Sequence, residues 1–379
     1  MTSVALVGGS VFDPDAGGFE PKDLWVVDGR IAAAPASGAA GESAHETIDV
    51  SGLIVSPGLV DLHTHVFHGQ DLGLVPDEIA ARSGTTTLID AGSAGGHLFG
   101  AFRLASVDRA ETRIRAFVNI ASVGTTSIML GGELKALYYS DEDVAAACVE
   151  ANRDIVVGVK VRASGDVGGE NSPEALRRAR RVADRVGLPL MVHLGPAPAS
   201  VDEILDTLRE GDIMTHSFTG WEGNRVVENG ELRASVRAAR DRGVLLDIGH
   251  GGSGFSSLVA RAMVEMGEPP DTISSDLHVY SQPTIIDLPT VLSKFLSFGM
   301  PLADVLARTT LAPARAVGLD SLGVGTLRPG APGDIAVFRI DEGEVEFGDG
   351  FGARFTGTQT LTPVLTLRDG VVVYREDPL

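Results

Sequence analysis

Basic residues are scarce in this chain, and cysteine is scarcer still. Lys and Arg together number 31 against 51 Asp and Glu, a formal charge of −20 over 379 residues. Such a surface repels phosphate backbones and anionic headgroups, which argues against nucleic acid and membrane surfaces as partners. The single cysteine, Cys148, excludes an internal disulfide framework and a thiolate zinc cluster. Within Ala145-Ala146-Ala147-Cys148-Val149 it reads as a small packing residue. No apolar stretch approaches the roughly 20 residues that span a bilayer, and Met1–Val7 lacks the basic flank and apolar core of a secretory signal. The expectation is a soluble, cytoplasmic protein. Low complexity is missing too, because the 47 glycines and 19 prolines are scattered singly. Nor is there a P-loop, a dinucleotide fingerprint or a serine nucleophile elbow.

What is present is enough apolar material, 44% of residues, for a sizeable core. Short β-rich runs recur at Leu53–Leu62, Thr85–Ala91, Ile114–Ala121, Ile155–Val161, Leu188–Leu194, Ile213–Phe218, Val244–Ile248 and Thr272–Ser275. Helical patterns fall between them at Asp143–Asn152, Pro173–Val186, Val201–Leu208, Leu232–Arg242 and Ser257–Met266. Strand then helix, repeated eight times, predicts an α/β fold with its parallel sheet closed into a (β/α)₈ barrel. An open doubly wound sheet is the alternative, with usually fewer strands.

The chain ends read differently. Leu24-Trp25-Val26-Val27, Ile335-Ala336-Val337-Phe338, Val364-Leu365-Thr366-Leu367 and Val371-Val372-Val373-Tyr374 are strand-like, with hairpin turns expected at Asp28-Gly29 and Asp369-Gly370. Neither end has enough apolar surface to fold alone. The expected division is therefore residues 1–55 plus 326–379 as a small β-sandwich, and 56–325 as the barrel.

The candidate chemistry lies at the ends of the barrel runs, where barrel active sites are built. His63 and His65 in Asp61-Leu62-His63-Thr64-His65 stand at i and i+2 of an extended segment, so both imidazoles reach one side and can share a metal. Lys160 ends an apolar strand, where a lysine is costly unless neutral or partnered, and it is one of only 4 lysines among the 31 basic residues. His193, His216 and Asp276 end three further runs. One such histidine would be unremarked, but four with a lysine and an aspartate at strand ends are not the pattern of satisfied core residues.

This order, His-x-His on the first strand, Lys on the fourth, His on the fifth and sixth and Asp on the eighth, resembles the amidohydrolase superfamily of binuclear metal hydrolases. The resemblance covers the whole chain. Val157-Gly158-Val159-Lys160-Val161-Arg162, Thr215-His216-Ser217-Phe218 and Asp247-Ile248-Gly249-His250-Gly251 are similar to its deacetylase branch, associated with N-acyl amino acids and O-acyl α-hydroxy acids. A cysteine often follows the strand-six histidine in that branch, whereas this chain has Ser217. The resemblance implies two divalent metal ions, with zinc first among the candidates, and a CO₂-derived carbamate on Lys160 bridging them. His63, His65 and Asp276 would hold one ion, and His193 and His216 the other. A metal-bridging hydroxide would attack the scissile carbonyl, with Asp276 as the catalytic proton carrier. Two dications against a carbamate, an aspartate and a hydroxide leave about +1, which favours a small anionic acylated substrate.

Three residues are candidate substrate contacts. Arg162 shares the strand face of Lys160 and either clamps a substrate carboxylate or pairs with an acid at the barrel mouth. His250 ends the seventh run among glycines and touches either substrate or the residues behind it, and His97, after Gly95-Gly96 in the loop after the second, is either a contact or a solvated loop histidine. The loop Gly220–Arg225 is a lid with Trp221 or Arg225 on substrate, or an ordinary surface loop. Competing readings are a cyclic-amide hydrolase resembling dihydroorotases and hydantoinases, a mononuclear deaminase, and a non-catalytic barrel scaffold. Assembly into a homo-oligomer is compatible with the sequence, which carries no interface signature.

Overall fold

The computed structural model describes residues 3–33, 45–377 and 379. Seven apolar runs form one curled parallel sheet whose spatial order follows the chain: Leu59–Thr64, Thr85–Asp90, Arg113–Asn119, Val156–Arg162, Leu190–His193, Ile213–Thr215 and Leu245–Leu246. Buried on both faces, these strands carry near-continuous apolar residues. Between them lie the helices Glu142–Ala151, Ser172–Val186, Val201–Thr207 and Ala234–Asp241, and Ser257–Glu265 follows the last strand, each end within two residues of expectation. Their ends are locally coded. Asp141 accepts from the backbone N–H of Asp143 and Val144, and Ser200 from that of Glu203. Gly187 closes its helix in the left-handed region at φ +65.

The eighth run departs from expectation. Residues 272–277 form no strand and instead make single parallel bridges, Thr272 to Asp247 and Leu277 to Thr64, at the two edges of the sheet. The reason is chemical. Of the backbone donors a ladder would use, the Ser275 N–H goes to the Asp61 carboxylate and the Ile273 N–H to the Arg308 carbonyl, while the Ser274 and Ser275 hydroxyls serve Asp247 and Asp61.

The run read as Leu53–Leu62 is two strands. Pro57 has no N–H to continue a ladder, and a Cβ on Gly58 would lie 2.2 Å from Thr86 Oγ1. The chain switches there from Ile54–Pro57, which pairs with Ile335–Phe338, into Leu59–Thr64.

The chain ends build two further sheets. One runs Arg30–Ala32, Leu24–Val27, Ser3–Val7, Glu46–Asp49; the other runs Val371–Arg375, Arg354–Arg368, Ile335–Gly348, Ile54–Pro57, Ser10–Asp13, Gly18–Pro21. Val4, Leu6 and Ile48 of the first share one apolar cluster with Val11, Val55, Ile335 and Leu365 of the second. Both expected turns form, with φ of 47 and 77 at Asp28-Gly29 and 44 and 77 at Asp369-Gly370, as a type I′ hairpin needs. The C-terminal hairpin is longer than its apolar segments suggest, with strands of 14 and 15 residues. It packs along the helix Leu288–Ser297. Among the described residues no helix is long and apolar enough to cross a membrane.

Candidate active site

Where the parallel strands end, a cavity of about 320 Å³ gathers His63, His65, Lys160, Arg162, His193, His216 and Asp276 in its wall. All six expected ligands and Arg162 thus come together. Asp276 Oδ1 lies 3.2 Å from both His63 Nε2 and His65 Nε2. Metal–nitrogen bonds of tetrahedral zinc place neighbouring ligand atoms about 3.3 Å apart, so this spacing suits donors that share one cation. His63, His216 and Asp276 offer ligand atoms within 4.8 Å of one another. The rings of His193 and His216 meet edge to face at 4.3 Å.

The outward nitrogens explain why the inward ones are free. Thr215 gives its hydroxyl proton to Asp247 at 2.7 Å, so at 2.8 Å it accepts from His63 Nδ1. His216 Nδ1 donates to the Gly249 carbonyl at 2.6 Å. Ser93 Oγ holds His65 Nδ1 at 2.8 Å. For His63 and His216 this puts the proton on Nδ1 and leaves the Nε2 lone pair to the cavity, the pattern that metal-ligating histidines need. Burial lowers the imidazole pKa values: to about 4 for His65 and His216, and well below the usual range for His63 and His193. Neighbouring cations push His63 and His193 the same way, whereas charges of both signs surround His65 and His216. All four are neutral at neutral pH, which is the ligand form.

Lys160 is buried, with Nζ 3.4 Å from Met191 Sδ and 3.5 Å from His63 Nε2. Burial brings its pKa down to about 7. Two of the wall residues have left-handed backbones that non-glycine residues seldom adopt: His216 at φ +60 and Asp276 at φ +50. The second is fixed by a 2.7 Å bond from its N–H to the His63 carbonyl. Such backbones cluster where a side chain must be aimed.

The substrate-contact candidates fare unevenly. Arg162 is on the wall, and its Nη1 meets both oxygens of buried Glu133 at 3.2 and 3.3 Å, so the mouth-acid pairing exists. His250 is not on the wall: its Nε2 faces Lys294 Nζ at 2.8 Å and its Nδ1 the Gly251 carbonyl at 2.9 Å. His97 is exposed and outside the cavity, with its main-chain N–H on the Ser122 carbonyl. Trp221 lines the cavity and packs edge-on to Phe351 of the long hairpin at 5.5 Å. Ser217 is buried and donates to the Asp247 carbonyl at 2.8 Å, away from the wall.

Sequence reasoning missed Thr215, Asp247, Ser93, Glu133 and Gly251. Thr215 and Asp247 carried a signal, since polar residues inside or ending apolar strands need buried partners. Glu133 and Gly251 carried none, because loop geometry alone brings them in.

A model of the amidohydrolase family matches residues 54–373. A deacetylase of Brucella anthropi is 38% identical over 309 residues, covering 81% of this chain and 76% of the relative. A deacetylase of Agrobacterium fabrum is 38% identical over 329 residues, covering 86% and 80%. A crystal structure of a dihydroorotase superposes with a TM-score of 0.91 at 32% identity, covering 99% of this chain and 98% of that one. With the inward-facing histidines, this places the chain in the amidohydrolase family, as a hydrolytic enzyme acting on C–N bonds.

Proposed function

We propose that the protein removes an acyl group, acetyl first, from an N-acyl amino acid or O-acyl α-hydroxy acid. The observation that carries this is the set of neutral imidazoles converging on Asp276 and Lys160, in a chain whose two 38% identical relatives are deacetylases. The donor chemistry fits divalent cations, zinc foremost: His63 and His65 with Asp276 for one, His193 and His216 for the other, and Lys160, carboxylated by CO₂, between them. Carboxylation needs the neutral amine, and burial favours it. When bound, the cations polarise the scissile carbonyl and make hydroxide available at neutral pH.

The chain's own residues do the rest. Asp276 takes the proton of the attacking water and delivers it to the leaving nitrogen or oxygen. Thr215, Ser93 and the Gly249 carbonyl keep the imidazoles aimed. Arg162, already steadied by Glu133, presents its remaining N–H groups to a substrate carboxylate. Leu72, Ile128, Leu194 and Trp221 give the cavity apolar walls for the substrate side chain. In this reading residues 56–325 carry the chemistry, and 1–55 with 326–379 frame it.

A second reading, hydrolysis of a cyclic amide, draws on the dihydroorotase superposition at TM-score 0.91. The test is acetate release by the zinc- and bicarbonate-reconstituted protein from N-acetyl-D- and N-acetyl-L-amino acids and O-acetyl α-hydroxy acids of both hands. Turnover of one hand supports the proposal. Silence there, with ring opening of dihydroorotate or a hydantoin, supports the second reading.

A further inference from the structure

Lys294, on the helix Leu288–Ser297, is only 1% exposed. Among the described residues no carboxylate lies within 4.0 Å of it. Its Nζ instead donates to His250 Nε2 and to the Gly348 carbonyl, both at 2.8 Å. The buried Asp349 carboxylate acts on it at longer range, and burying an ammonium with no carboxylate in contact still costs several kcal/mol. Burial lowers its pKa only to about 8, and the group remains a donor at neutral pH.

What the lysine touches bears on the site. Because Lys294 donates to Nε2, the His250 proton sits on Nδ1, against the Gly251 carbonyl at 2.9 Å. Phe255 stacks on the imidazole at 4.4 Å. The His250 and Gly251 N–H groups are tied to the Ser274 and Ser275 carbonyls at 3.1 and 3.0 Å. On one side, the Gly249 carbonyl takes the His216 Nδ1 proton. On the other, Gly251 is so close to Asp276 that a Cβ would stand 2.2 Å from Oδ2. Gly348 joins this cluster from the far end of the long C-terminal hairpin.

We propose that Lys294 and His250 are a positioning pair: they fix the Gly249–Gly251 backbone and through it aim His216 and Asp276. The inference rests on the metal-dependent reading above, and it adds two residues that never meet substrate. Partners of this kind are worth about 10–100-fold in metal affinity or turnover.

The variants are Lys294→Met, His250→Leu and His250→Gln, whose amide oxygen can still accept from the lysine. Each is filled with zinc or cobalt(II) and bicarbonate, and read by metal content, cobalt absorption spectrum, kcat, KM and thermal midpoint. Lys294→Met and His250→Leu are expected to bind one ion more weakly by about 10-fold or more, change the cobalt spectrum, and lose kcat while KM stays within about threefold. His250→Gln should recover most of this. If one variant fails to fold, the other two still decide. Wild-type metal content, spectrum and kcat in a folded Lys294→Met or His250→Leu variant overturn the pair. A wild-type protein that binds no metal overturns the underlying reading instead.

Discussion

Replacing Gly251 with alanine puts one methyl group against the residue on which turnover is argued to depend. The new Cβ would meet Asp276 Oδ2 at 2.2 Å, Cγ at 3.2 Å and Cβ at 3.5 Å. Relieving the first contact to an ordinary separation displaces the carboxylate by about 1 Å, and a misplacement of that size costs about 100-fold in rate. Backbone strain adds a separate effect, because Gly251 sits at φ +52 and alanine there costs about 1–2 kcal/mol. Gly187→Ala separates the two: it has φ +65 but nothing within 4 Å of a Cβ, at a helix end. Both variants should lose a degree or two of thermal midpoint, about 1 °C per kcal/mol for a chain of this length. Only Gly251→Ala should lose kcat. Steady-state kinetics on the purified, metal-filled variants decides it. A Gly251→Ala enzyme within about threefold of wild type would refute the account of how Asp276 is held.

Asp276→Asn should keep metal bound through the histidines while turnover falls about 10²–10⁴-fold, read by metal analysis beside kcat. Chelated enzyme refilled with zinc should regain activity faster with bicarbonate than in CO₂-free buffer. That advantage should shrink below about pH 7, where Lys160 is protonated, and vanish in Lys160→Met. The metal-free protein should lose stability as pH falls from about 6.5 to about 4, because unfolded histidines take protons there while buried His65, His216 and His278, a further histidine of the cavity wall, do not. Thermal midpoints of the chelated protein across that range check the sign; a flat or rising trend contradicts it.

The residues that meet in the cavity were legible because they break the grain of their strands. A lysine after Val156-Val157-Gly158-Val159, or a histidine closing Leu190-Met191-Val192, has no place in an apolar strand without a task. The helices were legible because period and caps agree, as at Asp141 and Ser200. The eighth run misled because Thr272-Ile273-Ser274-Ser275 has strand propensity, but the Ser275 N–H goes to the Asp61 carboxylate and the Ile273 N–H to the Arg308 carbonyl. The outer half of the long hairpin was missed since Asp341-Glu342-Gly343-Glu344 interrupts the alternation that marks a strand. From its strand-end position His250 read as a contact either to substrate or to the residues behind it; the fold gives its Nε2 to Lys294, 44 residues later.

The measurement that bears most directly on the central claim is the metal content of the wild-type protein after reconstitution with zinc and bicarbonate, taken with the same analysis of Lys160→Met. The account predicts about two ions per wild-type chain and a clear loss in the variant. One ion or none in the wild type, or no difference between the two, would contradict it.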